Sequence, residues 1–187
     1  MKLLNYNIST AYPKLPVSKQ TIINTLNPHS YCVAKRDVAF QKALKSSDLL
    51  LPDGIGIVLA ARILKGKKIQ KIAGYDMFLF LMEELQKKEG SCFFLGASKN
   101  TLNLIKKKAA REFPNVKVYT YSPPFKSEFS TSDSASMCLN INEAKPDVLF
   151  VGMTAPKQEK WVYQFKDELS TNIICSIGAV FDFYAGT

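Results

Sequence analysis

Short, continuously apolar runs alternate along this chain with longer stretches whose apolar residues recur every three or four positions. The runs are Thr21–Leu26, Asp48–Leu51, Ser91–Leu95, Val116–Tyr119, Asp147–Val151 and Asn172–Ile177. Runs apolar throughout, rather than at every second residue, read as strands buried on both faces. The stretches between them read as helices. Asp76–Lys88 carries Met77, Phe80, Leu81 and Leu85, and Lys99–Phe113 carries Leu102, Ile105, Ala109 and Phe113. Pro156–Leu169 opens on a first-turn proline and sets Trp161, Phe165 and Leu169 on one side. Strands alternating with helices predict an α/β protein, a mostly parallel sheet with helices on both faces.

The 187 residues are about 1.2 times a domain of roughly 150, so one domain over 1–187 is expected. Pro13 and Pro16 mark residues 1–19 as an irregular entry. The serine- and proline-rich stretch 121–136 reads as a loop leading into a helix. Apolar residues make up 47% and charged residues 22%, which excludes a disordered tail, a collagen-like fibre or a coiled-coil rod. The formal charge of +9 suits a polyanion, an anionic membrane surface or a phosphorylated substrate. No apolar run approaches the ~20 residues that span a bilayer, and MKLLNYNIST is no secretory signal. Cys32, Cys92, Cys138 and Cys175 stand 60, 46 and 37 residues apart. That is neither a metal spacing nor a disulfide framework, and it reads as core thiols of a reducing cytoplasm.

Parallel sheets of this kind bind ligands beyond the carboxyl ends of their strands, so the loops that follow the strands carry the argument. After the first strand, Thr25 and Asn27 bring short hydrogen-bonding side chains to its end; a turn and helix cap is the plain alternative. After the second comes Pro52-Asp53-Gly54. Asp53 would sit at a helix N-terminus, as a cap or as a reacting carboxylate. Lys65, Lys67, Lys68 and Lys71 follow as a solvated edge or as phosphate contacts, and Asp76 reads as the cap of its helix. Gly96-Ala97-Ser98 before a helix is a common form of anion cradle. The segment Gly152–Trp161 puts Lys157, Gln158 and Glu159 in a first turn. A lysine there opposes the helix dipole, which points to a ligand or partner for Lys157. Gly178 and Asp182 follow the last strand, and Asp182 reads as a hydroxyl-binding acid, or else as a structural cap or a paired core acid.

Several classes are excluded or weakened. No D-x-D pair exists for a metal–nucleotide clamp, and His29 is the only histidine. A P-loop, zinc fingers and a nucleic-acid aromatic stripe are absent. G-x-G at Gly54 and Gly56 fails the full dinucleotide fingerprint at Leu59, which weakens a Rossmann-type oxidoreductase. A non-enzymatic basic binding module is the other rival.

The stretches TLNPHSY at 25–31, LLPDGIGIVLAARIL at 50–64, KIAGYDMF at 71–78, FFLGAS at 93–98, DVLFVGMTAPKQEKW at 147–161 and GAVFDFYAGT at 178–187 together resemble the WecG/TagA/CpsF family of bacterial glycosyltransferases. The resemblance implies a Rossmann-like core. It also implies inverting, metal-independent transfer from a UDP-sugar to a polyprenyl-diphosphate-linked sugar in cell-surface polysaccharide synthesis. N-acetylmannosamine or its uronic acid are the implied sugars. The implied partners are the UDP-sugar, the lipid-linked acceptor and the inner face of the cytoplasmic membrane, where the protein would sit peripherally. No nucleic acid, metal or other cofactor is implied, and a homo-oligomer is left open.

Residue by residue, the resemblance assigns the catalytic base to Asp53 and substrate binding to Thr25, Asn27, Lys71 and Gln158. UDP binding falls to Gly96, Ala97, Ser98, Lys157, Gly178 and Asp182. Where the family often has arginine, this chain has Lys71, which keeps the charge but loses bidentate phosphate geometry. The family continues past the last motif with a basic, aromatic-rich helical tail tied to membrane attachment. The stretch as written therefore reads as the core without that tail.

Overall fold

The computed structural model describes residues 1–187. The chain opens with β1 (Lys2–Leu3) and β2 (Tyr6–Asn7), followed by β3 (Thr21–Leu26), α1 (Pro28–Ala34), α2 (Val38–Lys45), β4 (Leu49–Pro52) and α3 (Ile55–Lys65). Next come α4 (Gly74–Lys87), β5 (Ser91–Gly96), α5 (Lys99–Glu112), β6 (Lys117–Tyr121) and α6 (Thr131–Ala144). The chain closes with β7 (Val148–Gly152), α7 (Lys157–Phe165) with a 3₁₀ turn over Lys166–Glu168, β8 (Ile173–Ser176) and α8 (Val180–Ala185).

β3 to β8 form one six-stranded sheet in the order β4-β3-β8-β7-β5-β6. Every neighbouring pair is parallel, as the doubly apolar strands predict. Alternate residues serve opposite faces. Ile23, Leu51, Phe94, Phe150 and Cys175 pack against Met77, Phe78 and Leu81 of α4, Ile105 of α5 and Phe181 of α8. Ile22, Phe93, Leu95, Leu149 and Ile174 pack the other way, against Met137 and Ile141 of α6 and Trp161 and Val162 of α7. Cys92, Cys138 and Cys175 are buried, whereas Cys32 is exposed on α1. No helix is long and apolar enough to cross a membrane.

The amino terminus departs from the irregular entry expected over 1–19. β1 and β2 pair antiparallel, and Ile8 bridges Leu50 of β4. Leu3, Tyr6 and Ile8 are buried in a third cluster with Phe40, Leu44, Leu50 and Ile57. The apolar side chains of the entry are thus held by α2, α3 and the sheet edge, and only residues after the Ile8 bridge lack regular structure.

The connections create a crevice. After β5 the chain leaves through α5 on one face; after β7 it leaves through α7 on the other. β5 and β7 are adjacent, with Gly96 opposite Gly152. Adjacent parallel strands whose helices depart to opposite faces form a topological switch point, the place where such sheets bind ligands.

Candidate active site

The acidic half of the site forms where β3 and β4 end. Their register pairs Thr25 with Leu51 and Leu26 with Pro52, which brings the next residues, Asn27 and Asp53, side by side. The Asp53 amide donates to Leu26 O at 2.9 Å, and the Ile72 amide donates to Pro52 O at 3.0 Å. The second bond draws the segment after α3 back to the strand end and sets Lys71 near Asp53. Gly54, not Asp53, is the cap residue of α3, so the Asp53 side chain is not spent on that helix. Asp76 lies at the third position of α4, where its Oδ2 accepts the Ala73 amide at 2.8 Å. It braces the helix start from within rather than beginning it.

Asp53 is half-buried. Burial pushes its carboxyl above the ordinary carboxylate value; the Lys71 ammonium pulls down, Asp76 pushes up, and the Asn27 side chain pulls down. Asn27 Oδ1 is already taken by the Ser30 amide at 2.8 Å, in a reciprocal cap of α1. Its Nδ2 is the group left to face the carboxylate. Asn27 therefore combines the capping and the site readings that its sequence left open. Thr25 is partly exposed beside it. One carboxylate with a raised proton affinity, an ammonium and an amide donor thus share one strand end. That set can accept a proton from a hydroxyl and hold an anionic group nearby.

The second half lies at the switch point. Gly96 has φ +128°, and a Cβ there would stand 2.2 Å from Gly152 O, so the two strand ends approach as only glycine allows. Ala97 is left-handed at φ 53°. Ser98 caps α5, its Oγ accepting the Thr101 amide at 3.1 Å. The loop thus delivers the N-terminus of a helix to the crevice, as its small residues predict.

Two residues expected on the ligand are engaged elsewhere. Lys157 Nζ donates to Lys126 O and stands 3.7 Å from the centre of the Phe129 ring. The partner that its unfavourable dipole position implied is the 122–130 loop of the chain itself. Gln158 is buried. Its Oε1 accepts the Met153 amide at 3.1 Å and the Gly178 amide at 3.2 Å, while its Nε2 donates to Glu159 Oε1 at 2.9 Å. Gln158 is a brace between the loops after β7 and β8, and the Gly178 amide is used by that brace. Asp182, in the first turn of α8, is exposed and does not cap that helix, which overturns the core and cap readings.

Glu159 was grouped in sequence with Lys157 and Gln158 as a strand-end polar group, but it is only 4% exposed. Burial raises its pKa, and its Oε2 has no hydrogen-bond partner. Its role as the orienter of Gln158 has no local signal beyond adjacency. No group of three or more His, Cys, Asp or Glu side chains is placed to hold a metal ion.

Comparison with known proteins gives the family of the chain. The model of the glycosyl transferase WecG/TagA/CpsF family matches residues 6–187. A Bacillus subtilis protein named N-acetylglucosaminyldiphosphoundecaprenol N-acetyl-beta-D-mannosaminyltransferase is 32% identical over 165 residues, 88% of this chain. Proteins of the same name from Bacillus spizizenii and Staphylococcus aureus are 29% and 23% identical, each over 96% of this chain. The chain spans 62% of the length of the Bacillus subtilis relative, 67% of the Bacillus spizizenii one and 68% of the Staphylococcus aureus one. With a family match that runs through every loop of the site, this chain belongs to the WecG/TagA/CpsF glycosyltransferase family.

Proposed function

We propose that the chain transfers a hexosamine, N-acetylmannosamine or its uronic acid, from its UDP derivative to a polyprenyl-diphosphate-linked sugar, with inversion and without a metal. The observation that carries the reading is Asp53, a half-buried carboxylate of raised proton affinity set between Lys71 and Asn27. The relatives' printed names support the acceptor class. Inversion is a single displacement at the anomeric carbon. Asp53 takes the proton of the acceptor hydroxyl as the new C–O bond forms and the bond to the UDP oxygen breaks. The Lys71 ammonium, at the same strand end as Asp53, receives the charge of the departing diphosphate. General-base assistance of this kind contributes about 10²–10⁴ in rate. The acceptor places the enzyme at the inner membrane face.

The test is calorimetric titration with UDP in EDTA, joined to an assay of UDP release. The assay mixes UDP-N-acetylmannosamine with a lipid-linked N-acetylglucosamine diphosphate. UDP binding and release without divalent metal are expected. Binding of NAD in place of UDP would overturn the reading, and release seen only with magnesium or manganese would overturn its metal-free part.

A further inference from the structure

α3 carries an apolar face that nothing in the chain covers. Ile57 and Ala61 are buried against the third cluster. On the other side of the helix Ile55 is 67% exposed, Leu59 46% and Ile63 78%, with Leu64 at 56% beside them. Ile55, Leu59 and Ile63 are spaced by four, so they form one ridge. Four of the chain's large exposed apolar residues thus lie within one three-turn helix, where scattered single ones are the norm.

The charge around this ridge has one sign. Between Gly54 and Tyr75 stand Arg62, Lys65, Lys67, Lys68 and Lys71, and no aspartate or glutamate. The ion pairs of the chain use Lys19, Lys87, Lys88, Lys108, Lys126 and Lys160, so none of these five cations is paired. Lys2, on β1, adds a further cation to the groove beside Leu64 and Lys65.

We infer that the α3 face docks on an anionic lipid surface, with Ile55, Leu59, Ile63 and Leu64 in the headgroup–acyl boundary and Arg62, Lys65, Lys67 and Lys68 on the headgroups. An apolar ridge flanked by cations, on a helix too short to span, is the form of an interfacial element. Charge complementarity selects this occupant over a second copy. A two-fold contact would set this acid-free cationic stretch against itself, and like charges so placed are repelled. The consequence reaches the site, because Ile55 is two residues from Asp53 and the helix N-terminus opens on the strand end. Docking by this face holds Asp53 beside the membrane. The proposal rests on the glycosyltransferase reading only for the meaning of that orientation.

The experiment is co-sedimentation of the 187-residue chain with phosphatidylcholine vesicles, with and without phosphatidylglycerol. It compares the wild type, Leu59→Ser with Ile63→Ser, and Lys65→Ser with Lys67→Ser and Lys68→Ser. UDP binding and circular dichroism are measured on each. All five positions are exposed, so folding and UDP binding stay unchanged in both variants. Binding to anionic vesicles is expected, weakened about tenfold or more by the lysine changes and several-fold by the apolar ones. Only the lysine-dependent part falls with added salt. Failure of the wild type to bind anionic vesicles overturns the proposal, as does binding indifferent to both variants. So does sedimentation as a dimer that Ile63→Ser dissolves, which would assign the face to a second copy. Vesicle binding without UDP binding would instead overturn the function proposed for the site and leave the docking face standing.

Discussion

Gln158 Oε1 accepts the amide of Gly178 at 3.2 Å, and so ties the first turn of α7 to the loop twenty residues later that follows β8. The same oxygen holds Met153 in the loop that follows β7. One buried amide therefore sets the relative position of two loops that flank the switch point. A polar residue at a strand end thus shapes the site through the loops it joins.

Replacing Gln158 with leucine, which cannot accept, leaves two backbone amides and Glu159 Oε1 without that partner. A fully buried orphan costs about 1–3 kcal/mol, and the Met153 and Gly178 amides, only partly buried, cost less. Unfolding in urea should show a loss of about 2–4 kcal/mol, and the thermal midpoint of a chain this size should fall by roughly 10 °C. UDP affinity should fall with it. Unchanged stability would mean that the two loops hold their places without the brace.

Asp53→Asn should separate stability from activity. The folded-state pKa of Asp53 lies above its ordinary 3.8 because burial disfavours the charged form. The folded chain thus binds this proton more tightly than the unfolded chain. Its contribution to stability declines as pH rises from that ordinary value through the raised one, and remains unfavourable at neutral pH. Asparagine removes that penalty, so the thermal midpoint at neutral pH should rise. Turnover should drop by about 10² or more, with UDP affinity within a few-fold. Scanning calorimetry and the transfer assay on one preparation check both halves.

The two charges beside Asp53 should move the acidic limb of kcat/KM in opposite directions. Lys71 lowers the Asp53 pKa and Asp76 raises it. Lys71→Ala should therefore shift the limb to higher pH and Asp76→Asn to lower pH. Asparagine can still accept the Ala73 amide with its carbonyl, which keeps the start of α4 intact. A pH–rate profile that moves the same way in both variants would show that neither charge acts through Asp53.

Five of the six parallel strands were legible because burial on both faces leaves a largely apolar run, a signal that needs no partner to be read, whereas the edge strand β6 is exposed at Lys117 and Tyr119 and only partly buried elsewhere. The Asp53 strand end was legible for a related reason, since Pro-Asp-Gly after such a run fixes where the carboxylate falls. The β1–β2 ladder was not, because two-residue strands are too short to show a period. The roles of Lys157 and Gln158 were not either. Which way a first-turn side chain points depends on how the helix is rotated in its packing. The partners that capture them, Lys126, Phe129 and Gly178, lie about twenty to thirty residues away in sequence. Sequence placed both residues in a first turn at a strand end and could not show the bonds that they make within the chain.

Gly96→Ala should be among the most damaging single-methyl additions in the chain. The new Cβ would stand 2.2 Å from Gly152 O and 2.7 Å from Gly152 C, both backbone atoms of a central strand, at a φ of +128° that an L side chain rarely adopts. Relief requires β5 and β7 to part where the crevice opens. Overpacking alone costs about 1–3 kcal/mol, and the backbone strain adds about 1–3 kcal/mol. The expected outcome is a chain recovered largely insoluble, or one that unfolds at markedly lower urea without binding UDP. A soluble variant of wild-type stability would show that the strand ends separate easily.

Glu159 gives a pH signature that can be isolated from the other acids. Asp37, Asp48, Asp133 and Asp147 have pKa values lowered below their ordinary 3.8. The stability they contribute is complete above that value and is lost as pH falls through the lowered ones. Glu159 moves the other way, raised from its ordinary 4.5 by burial, with its Oε2 unpartnered. Its contribution declines as pH rises from 4.5 through the raised value. Above that starting point the four lowered acids are already ionised in both states, so the slope belongs to Glu159 together with Asp53. Glu159→Gln keeps an acceptor for Gln158 Nε2 and removes the ionisation. The unfolding free energy of the wild type, measured in urea from pH 4.5 to neutrality, should fall more steeply with pH than that of the variant. The two curves should meet at the acidic end, and the variant should lead at the neutral end. Parallel curves would show that Glu159 titrates in the folded protein as it does in the unfolded chain, and that its burial is relieved by groups that the unpartnered Oε2 does not reveal.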